Sequence, residues 1–528
     1  MSSGENDAVA PNAKRLLWAG FMAILAAGVG YAVRGGILTQ WANEFGFTMT
    51  ELGAITGGGL TGFGVVIILS SLIADKIGYG RLLIMAFILH LVSAGLTLAA
   101  PLAFASGGKS LAYACLFWGM FIFAVGNGLC EAVVNPLVAT LFPKNKTHYL
   151  NILHAGWPAG LVAGSVASAL MAAKTSETGE VLSAAVDWKI QMSLFLIPTV
   201  AYGLMLLGQK FPKSEAADAG VSTGEMISTL FAPLMLVLLV VHAMVGYVEL
   251  GTDSWISKIT GAIMADPQKG LMLFAYTSML MFVLRFFAGP IVHRISPLGL
   301  LLASAVLGAT GLTLLGGAET VTACIIAATV YALGKTFLWP TMLAVVSEQF
   351  PKGGAISIGM LGGVGMLSAG LLGGPAIGFK QDYNASANLK NVSEETYDRY
   401  KAGEPSSFFG FETVGLDGAK VGVLEDKGKE LNRVGELLKS QNTSDPRHEG
   451  LVTWWNDAEK SAEKDGPIVS AAGVYGGKEA LKLTAYVPAT MAVFYLLLIL
   501  YFKSRGGYKA VHVNEEVESP EAMGVAEA

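Results

Sequence analysis

The chain is 528 residues long, 53% hydrophobic and only 14% charged, with 65 glycines and a formal charge of −5. With a mean hydropathy of +0.54, this balance excludes an ordinary soluble domain and supplies no basic face for nucleic acid. Cys115, Cys130 and Cys324 all fall inside apolar stretches, which excludes a disulfide framework or a cysteine metal centre.

A bilayer core of about 30 Å needs about 20 apolar residues per helix. Stretches of that kind recur at 14–41, 51–74, 82–104, 111–142, 148–173 and 187–209, then at 227–257, 269–292, 298–316, 320–350, 356–379 and 482–503. They predict an all-α membrane protein with twelve transmembrane helices, here called spans one to twelve. The apolar run after Lys14-Arg15 outlasts a signal-peptide core and reads as a retained first helix. The polar break 210–226 is read as a cytoplasmic loop dividing two pseudo-symmetric six-helix bundles, 14–209 and 227–505, with cytoplasmic tails at 1–13 and 506–528. In the short loops, Lys14, Arg15, Lys76, Arg81, Lys144, Lys146, Lys210, Lys213, Arg294, Lys352, Lys503, Arg505 and Lys509 gather on one side. Only Lys109, Lys174, Lys189, Lys258 and Lys269 lie on the other. That bias predicts both termini in the cytoplasm, as in a bacterial inner membrane.

The halves echo each other. Span four reads Glu131-Ala-Val-Val-Asn135-Pro136 and ends in Phe142-Pro143-Lys144. Span ten reads Lys335-Thr-Phe-Leu-Trp339-Pro340 and ends in Phe350-Pro351-Lys352. A second echo follows spans two and eight, where Ser71-x-x-x-Asp75-Lys76-x-Gly78-Tyr-Gly-Arg81 parallels Gly289-x-x-x-His293-Arg294. Internal repeats around a midplane site are a transporter signature.

With these repeats the chain resembles the major facilitator superfamily, whose loop between helices two and three resembles Gly-x-x-x-Asp-Arg/Lys-x-Gly-x-x-Arg. Ser71 stands here for the opening glycine. The resemblance implies a conformational latch built from Asp75, Lys76, Gly78 and Arg81, with Asp75 capping or pairing with a neighbouring helix end. Gly156, Gly160 and Gly164, and Gly370, Gly374 and Gly378, recur every four residues and predict close helix contacts.

Four ionisable residues lie deep in apolar runs: Arg34, Glu131, Glu249 and Lys335. A charge in the bilayer core costs roughly 3 kcal/mol by insertion scales, so each must face a cavity or a partner. They fall on spans one, four, seven and ten, which the resemblance implies line a central cavity. Glu131 and Lys335 hold equivalent repeat positions with opposite signs, and pairing between them is one expectation. Gln40 and Asn43, Asn127 and Asn135, Asn151 and His154, and Asp253 and Trp255 supply amides, an imidazole, a carboxylate and an aromatic face suited to a hydroxyl-rich ligand. His90 and His242 read as core residues, and Arg285 as a residue that snorkels to the cytoplasmic edge.

Glu131-x-x-x-Asn135-Pro136, followed by Leu150-Asn151-x-x-His154, resembles the fucose permease family of sugar:proton symporters. The resemblance implies that Glu131 sits in the sugar cavity and couples protons, with Asn135 and Asn151 beside it. Those symporters carry a second carboxylate in span one, where this chain has Arg34-Gly35-Gly36. A rival pattern, Tyr31-x-Val33-Arg34 with Phe47 and Glu51-Leu52-Gly53, is similar to organophosphate:phosphate antiporters. Those need a matching cation in span seven, whereas Glu249 and Asp253 are acidic and would repel an anion. The expected function is a secondary active transporter of a small neutral polar solute, a sugar or nucleoside, coupled to protons. The expected substrate-binding set is Arg34, Gln40, Glu131, Asn135, Asn151, His154, Glu249, Trp255 and Lys335, with Glu131 as proton carrier. The alternatives are an organic anion or phosphate-ester exchanger, or a non-transporting receptor. No enzyme activity, cofactor, metal or nucleic-acid partner is expected. The partners are a small solute, protons and the lipid bilayer, with the chain as a monomer.

About 100 polar residues, 380–481, separate spans eleven and twelve on the outer side. Heptad-spaced Leu424, Leu431 and Leu438, and a second candidate helix with Leu451, Trp454 and Trp455, predict a helical hairpin over the outer mouth. Phe408, Phe409 and Phe411 are expected at the membrane interface. A partly disordered insert without a role in transport is the plainer expectation.

Overall fold

A computed structural model describes residues 10–47, 49–57, 59–172, 174–175, 181–183, 185–440, 442 and 444–513. Residues 1–9 and 514–528 of the expected tails therefore lie outside the described residues, as does the side chain of Asn43.

Ten apolar helical stretches among the described residues are long enough to cross a membrane. Two further helical pieces pack among them: Lys146–His154 with Gly156–Met171, interrupted at Ala155, and Pro267–Arg285. Among the described residues the strands form two short two-stranded antiparallel sheets. Exposed Leu69, Ile88, Leu170, Met272, Ile326 and Leu497 would form an untenable apolar surface in water, and lipid is the medium that suits them.

Span one (Ala13–Phe45) packs on Gly156–Met171 and on Leu196–Leu206, while Tyr79–Leu98 packs on Ala100–Leu141. In the second half Ala288–Gly317 packs on Val321–Lys335 and on Tyr486–Ser504, and Pro233–Gly246 packs on Gly354–Ser368. The glycine stripe of span five explains the first of these contacts. A Cβ on Gly160 would fall 2.4 Å from the Leu25 carbonyl, and one on Gly156 2.5 Å from that of Phe21. Backbones that close gain packing that larger side chains would forbid.

Some boundaries differ from expectation. Ala100–Leu141 comprises two helices that meet at Gly108, whose φ of +68° and ψ of −162° are not helical, so the break expected between spans three and four is a single-residue kink. Span ten divides into Val321–Lys335 and Leu338–Gln349 ahead of Pro340. Span seven carries a π-helical turn, Tyr247–Gly251, between Pro233–Gly246 and Thr252–Ile263. Span eleven carries another, Ala369–Gly373, after Gly354–Ser368.

The insert is not a simple helical hairpin. Helix Gly374–Val392 continues span eleven beyond its apolar part, Ala462–Thr484 leads back into span twelve, and the two pack together as a stalk. Four helices, Glu394–Tyr400, Gly418–Asp426, Lys429–Ser440 and Pro446–Ala458, cap it around Tyr400, Leu424, Leu431 and Trp455. The leucine heptad does not lie on one helix, because the chain reverses at Lys427 and Gly428, both at positive φ. Asp465, fully buried on the stalk helix Ala462–Thr484, pairs with Arg399 of the cap and ties the two together.

Candidate functional site

A cavity of about 250 Å³ opens between the halves. Span one contributes Tyr31 and Arg34, the region of span two Thr56 and Thr61, and span four Phe123 and Asn127. Trp157 comes from span five and Ser254 from span seven. Arg34 lies over the Phe123 ring, 4.5 Å from its centroid, and its Nε and Nη2 are buried with no hydrogen-bond partner among the described residues. A buried donor left unpaired is costly, so this guanidinium is poised for an acceptor brought from outside. No carboxylate is among the described lining residues. Asn127 turns its amide oxygen to His90 Nε2 at 3.0 Å, and His90 Nδ1 lies 2.9 Å from the Tyr202 hydroxyl. His90 is thus buried, as expected, within a polar chain that ends at the cavity wall.

The other three deep charges do not line this cavity. They belong to a buried network around Arg285. Asn135 Nδ2 donates to Glu131 Oε2 at 2.8 Å, and the Asn135 amide oxygen meets His154 Nε2 at 2.8 Å. Arg285 Nη1 donates to the His154 carbonyl at 2.5 Å, Nε to the Thr336 carbonyl at 2.9 Å, and Nη2 to Glu249 Oε1 at 2.9 Å. Lys335 pairs with Asp253. Both pairs are nearly inaccessible to solvent, so breaking either would strand a charge.

Two expectations are corrected here. Glu131 and Lys335 do not pair with each other: Asn135 and Asp253 are nearer partners. Arg285 does not snorkel, being only 1% exposed. The signal that finds it is proline. Pro340 cannot donate to the Thr336 carbonyl four residues back, nor Pro158 to that of His154. Arg285 donates to both freed carbonyls.

The remaining candidates are spread out. Gln40 Nε2 donates to the Val186 carbonyl at 3.1 Å, tying the C-terminal end of span one to the chain before Trp188. Trp255 Nε1 donates to the Gly374 carbonyl at 2.8 Å and packs against Gly378. Asn151 Nδ2 donates to the Thr147 carbonyl and to Thr341 Oγ1, the latter across the halves at 3.3 Å. His242 is buried against Trp339, with both ring nitrogens lacking a partner among the described residues.

On the side of the positive loops the halves meet. Asp75 Oδ2 accepts from Ala355 N at 3.3 Å, at the first turn of Gly354–Ser368, and Asp75 Oδ1 accepts from Tyr79 at 3.0 Å. Gly78, at φ +91°, makes the turn that L side chains avoid, and Lys76 and Arg81 are exposed. Where the superfamily pattern opens with glycine, Ser71 meets Gly359 instead. A Cβ there would lie 2.2 Å from that of Ser71, so the missing small residue sits on the opposite helix. Lys146 Nζ donates to the Ser347 carbonyl at 2.9 Å. The C-terminal segment crosses the same region: Tyr508 donates to Glu348 at 2.7 Å, and Val511 N to the Glu348 carbonyl at 2.8 Å.

Membrane-length helices in two contacting groups, with a polar cavity and buried ion pairs at their junction, define a polytopic carrier. The chain belongs to the Major Facilitator Superfamily, whose family model matches residues 20–374. No curated protein matches it by sequence. Among solved structures it is similar to the E. coli fucose:proton symporter FucP, at 17% identity over 70% of this chain and 92% of that one, with a TM-score of 0.56. The proton:xylose symporter XylE gives 13% identity over 69% and 87%, with a TM-score of 0.56. A bacterial homologue of the human lysosomal transporter Spinster, inward-facing, gives 14% over 93% and 97%, also at 0.56. At these identities the likeness is one of fold.

Proposed function

We propose that the protein carries a small polar solute, a sugar or nucleoside, across the membrane by alternating access, in symport with protons. Twelve spans in two six-helix bundles, both termini inside, form the carrier. The observation that supports this reading best is the cavity between the halves, where Arg34 and Asn127 lie beside the Tyr31 and Trp157 rings. Guanidinium and amide suit hydroxyl oxygens, and aromatic faces suit apolar C–H surfaces. Fold neighbours that are sugar symporters are compatible with it.

Glu131 is the proposed proton carrier. Its partner Asn135 leads through His154 to the junction of the halves, so rocking would change its surroundings, and with them its hold on a proton. Asp75 at the start of Gly354–Ser368 is the proposed latch. Proteoliposome uptake with and without an imposed pH gradient tests the scheme. Accumulation that needs the gradient, and is lost in Glu131→Gln while counterflow persists, is expected. Equal accumulation in both conditions overturns symport.

A second reading, exchange of an organic anion or phosphate ester, is favoured by the unpartnered nitrogens of Arg34 and by the engagement of Glu249 and Asp253 with Arg285 and Lys335. That pairing removes much of the repulsion expected from span seven. Competition by sugar phosphates against free sugars separates the two readings.

A further inference from the structure

The hairpin of strands Ser406–Phe408 and Phe411–Thr413 turns on two residues, Phe409 and Gly410, with φ of +50° and +82°. Two-residue turns with both φ positive favour Asn-Gly, because asparagine tolerates the left-handed region and bulky side chains do not. Here phenylalanine occupies the strained position and yet is 76% exposed, with Phe411 beside it 72% exposed. Within the protein the Phe409 ring meets Phe408 edge to face, 4.8 Å between centroids, and most of the Phe409 and Phe411 rings still faces outward.

The hairpin's level supplies the reason. Phe408 rests on Phe379, at 6.1 Å between centroids, and Phe379 lies against Tyr383. Leu371, Pro375, Phe379 and Tyr383 follow one another at four-residue spacing on one face of span eleven. Leu371, within the apolar span, is 54% exposed, which marks that face as lipid-facing. From Gly354 to Phe379 the helix rises about 37 Å, past a hydrocarbon core of about 30 Å and into the headgroup zone. Aromatic side chains favour that zone.

We propose that the Phe409–Gly410 tip, with Phe411, inserts into the outer interface of the bilayer and pins the cap to the membrane beside span eleven. Glu404 and Glu412 flank the tip, so zwitterionic lipid suits it better than anionic lipid. The anchor is independent of what the carrier moves.

The test is depth measured by nitroxide labels at Phe409→Cys and Phe411→Cys, in a Cys115→Ser background, with the full chain in phosphatidylcholine nanodiscs. A label at Glu436→Cys, exposed on the cap, is the aqueous reference. The tip labels are expected to collide several-fold more with oxygen, relative to a water-soluble nickel chelate, than the reference does. Phe409→Asn suits the turn better and keeps the hairpin, yet should lower that ratio at position 411. Tip labels as accessible to nickel as Glu436→Cys overturn the proposal. So do labels shielded from both reagents, which would assign the tip to a protein contact, and a 411 label unmoved by Phe409→Asn.

Discussion

The guanidinium of Arg285, in the second half of the chain, donates to the backbone carbonyl of His154, in the first, at 2.5 Å. That carbonyl is free because Pro158 lacks the N–H that would otherwise take it. The same guanidinium serves the carbonyl freed by Pro340 and the carboxylate of Glu249. One cation therefore joins both halves of the junction, and any rocking between them must stretch or keep this bond.

Removing the proline should loosen the tie. Pro158→Ala gives His154 an intrahelical partner and weakens the claim of Arg285 on it. We expect the side carrying the positive loops to open more often, read as faster thiol labelling of Thr140→Cys, which lines a second cavity on that side together with Lys146, His148 and Tyr508. Unchanged labelling would place the hinge elsewhere.

Arg285→Met leaves Glu249 buried without its cation, at a cost of about 3–5 kcal/mol. A marked fall in melting temperature in detergent is expected. The double variant Arg285→Met/Glu249→Leu should regain most of that stability, since a matched apolar pair carries no stranded charge, while transport stays lost. Recovery of transport as well would make the pair purely structural.

Arg34→Gln touches no ion pair among the described residues, so folding should survive. Hydrogen bonds to a charged group are worth about 1.5–3 kcal/mol, and the apparent affinity for substrate should fall by roughly 10- to 100-fold. A fall much greater for phosphorylated than for neutral substrates would favour the anion reading. Calorimetry or competitive uptake reads the difference.

The segment Tyr508 to Val513 is expected to hold the closed side. Val513 N approaches Glu215 in the central loop at 3.4 Å, and Gln349 Nε2 donates to the Lys509 carbonyl at 2.7 Å. Tyr508→Phe removes one half-buried hydrogen bond, worth about 1 kcal/mol. Truncation before Tyr508 removes the whole strap and should raise Thr140→Cys labelling further. Equal labelling in the full-length and truncated proteins would show that the strap bears no load.

Much of the architecture is legible because lipid imposes a simple length rule, and runs such as 14–41 and 320–350 obey it. The glycine stripe in span five likewise announces its contact with span one. The pairing of charges is less legible. Glu131 and Lys335 are equivalent in the repeat, but partners are set by helix rotation and by local breaks, and the π turn at Tyr247–Gly251 alters the facing of Glu249 and Asp253. Arg285 was hidden because its distance from an end says nothing of what waits inside. Only the two prolines, 127 and 55 residues away along the chain, point to it. The insert misleads for another reason: Leu424 and Leu431 share a core, but a positive-φ reversal between them imitates a continuous heptad.

Spans seven and eleven meet backbone to backbone. A methyl group on Gly246 would strike the Gly365 carbonyl at 1.9 Å, and one on Gly251 would fall 2.7 Å from the Gly373 Cα. Two helices so fused cannot slide past one another, and they travel as a single girder. Bending is then left to the two wide turns set side by side at Tyr247–Gly251 and Ala369–Gly373, which makes this the place where the paired helices can flex together without coming apart.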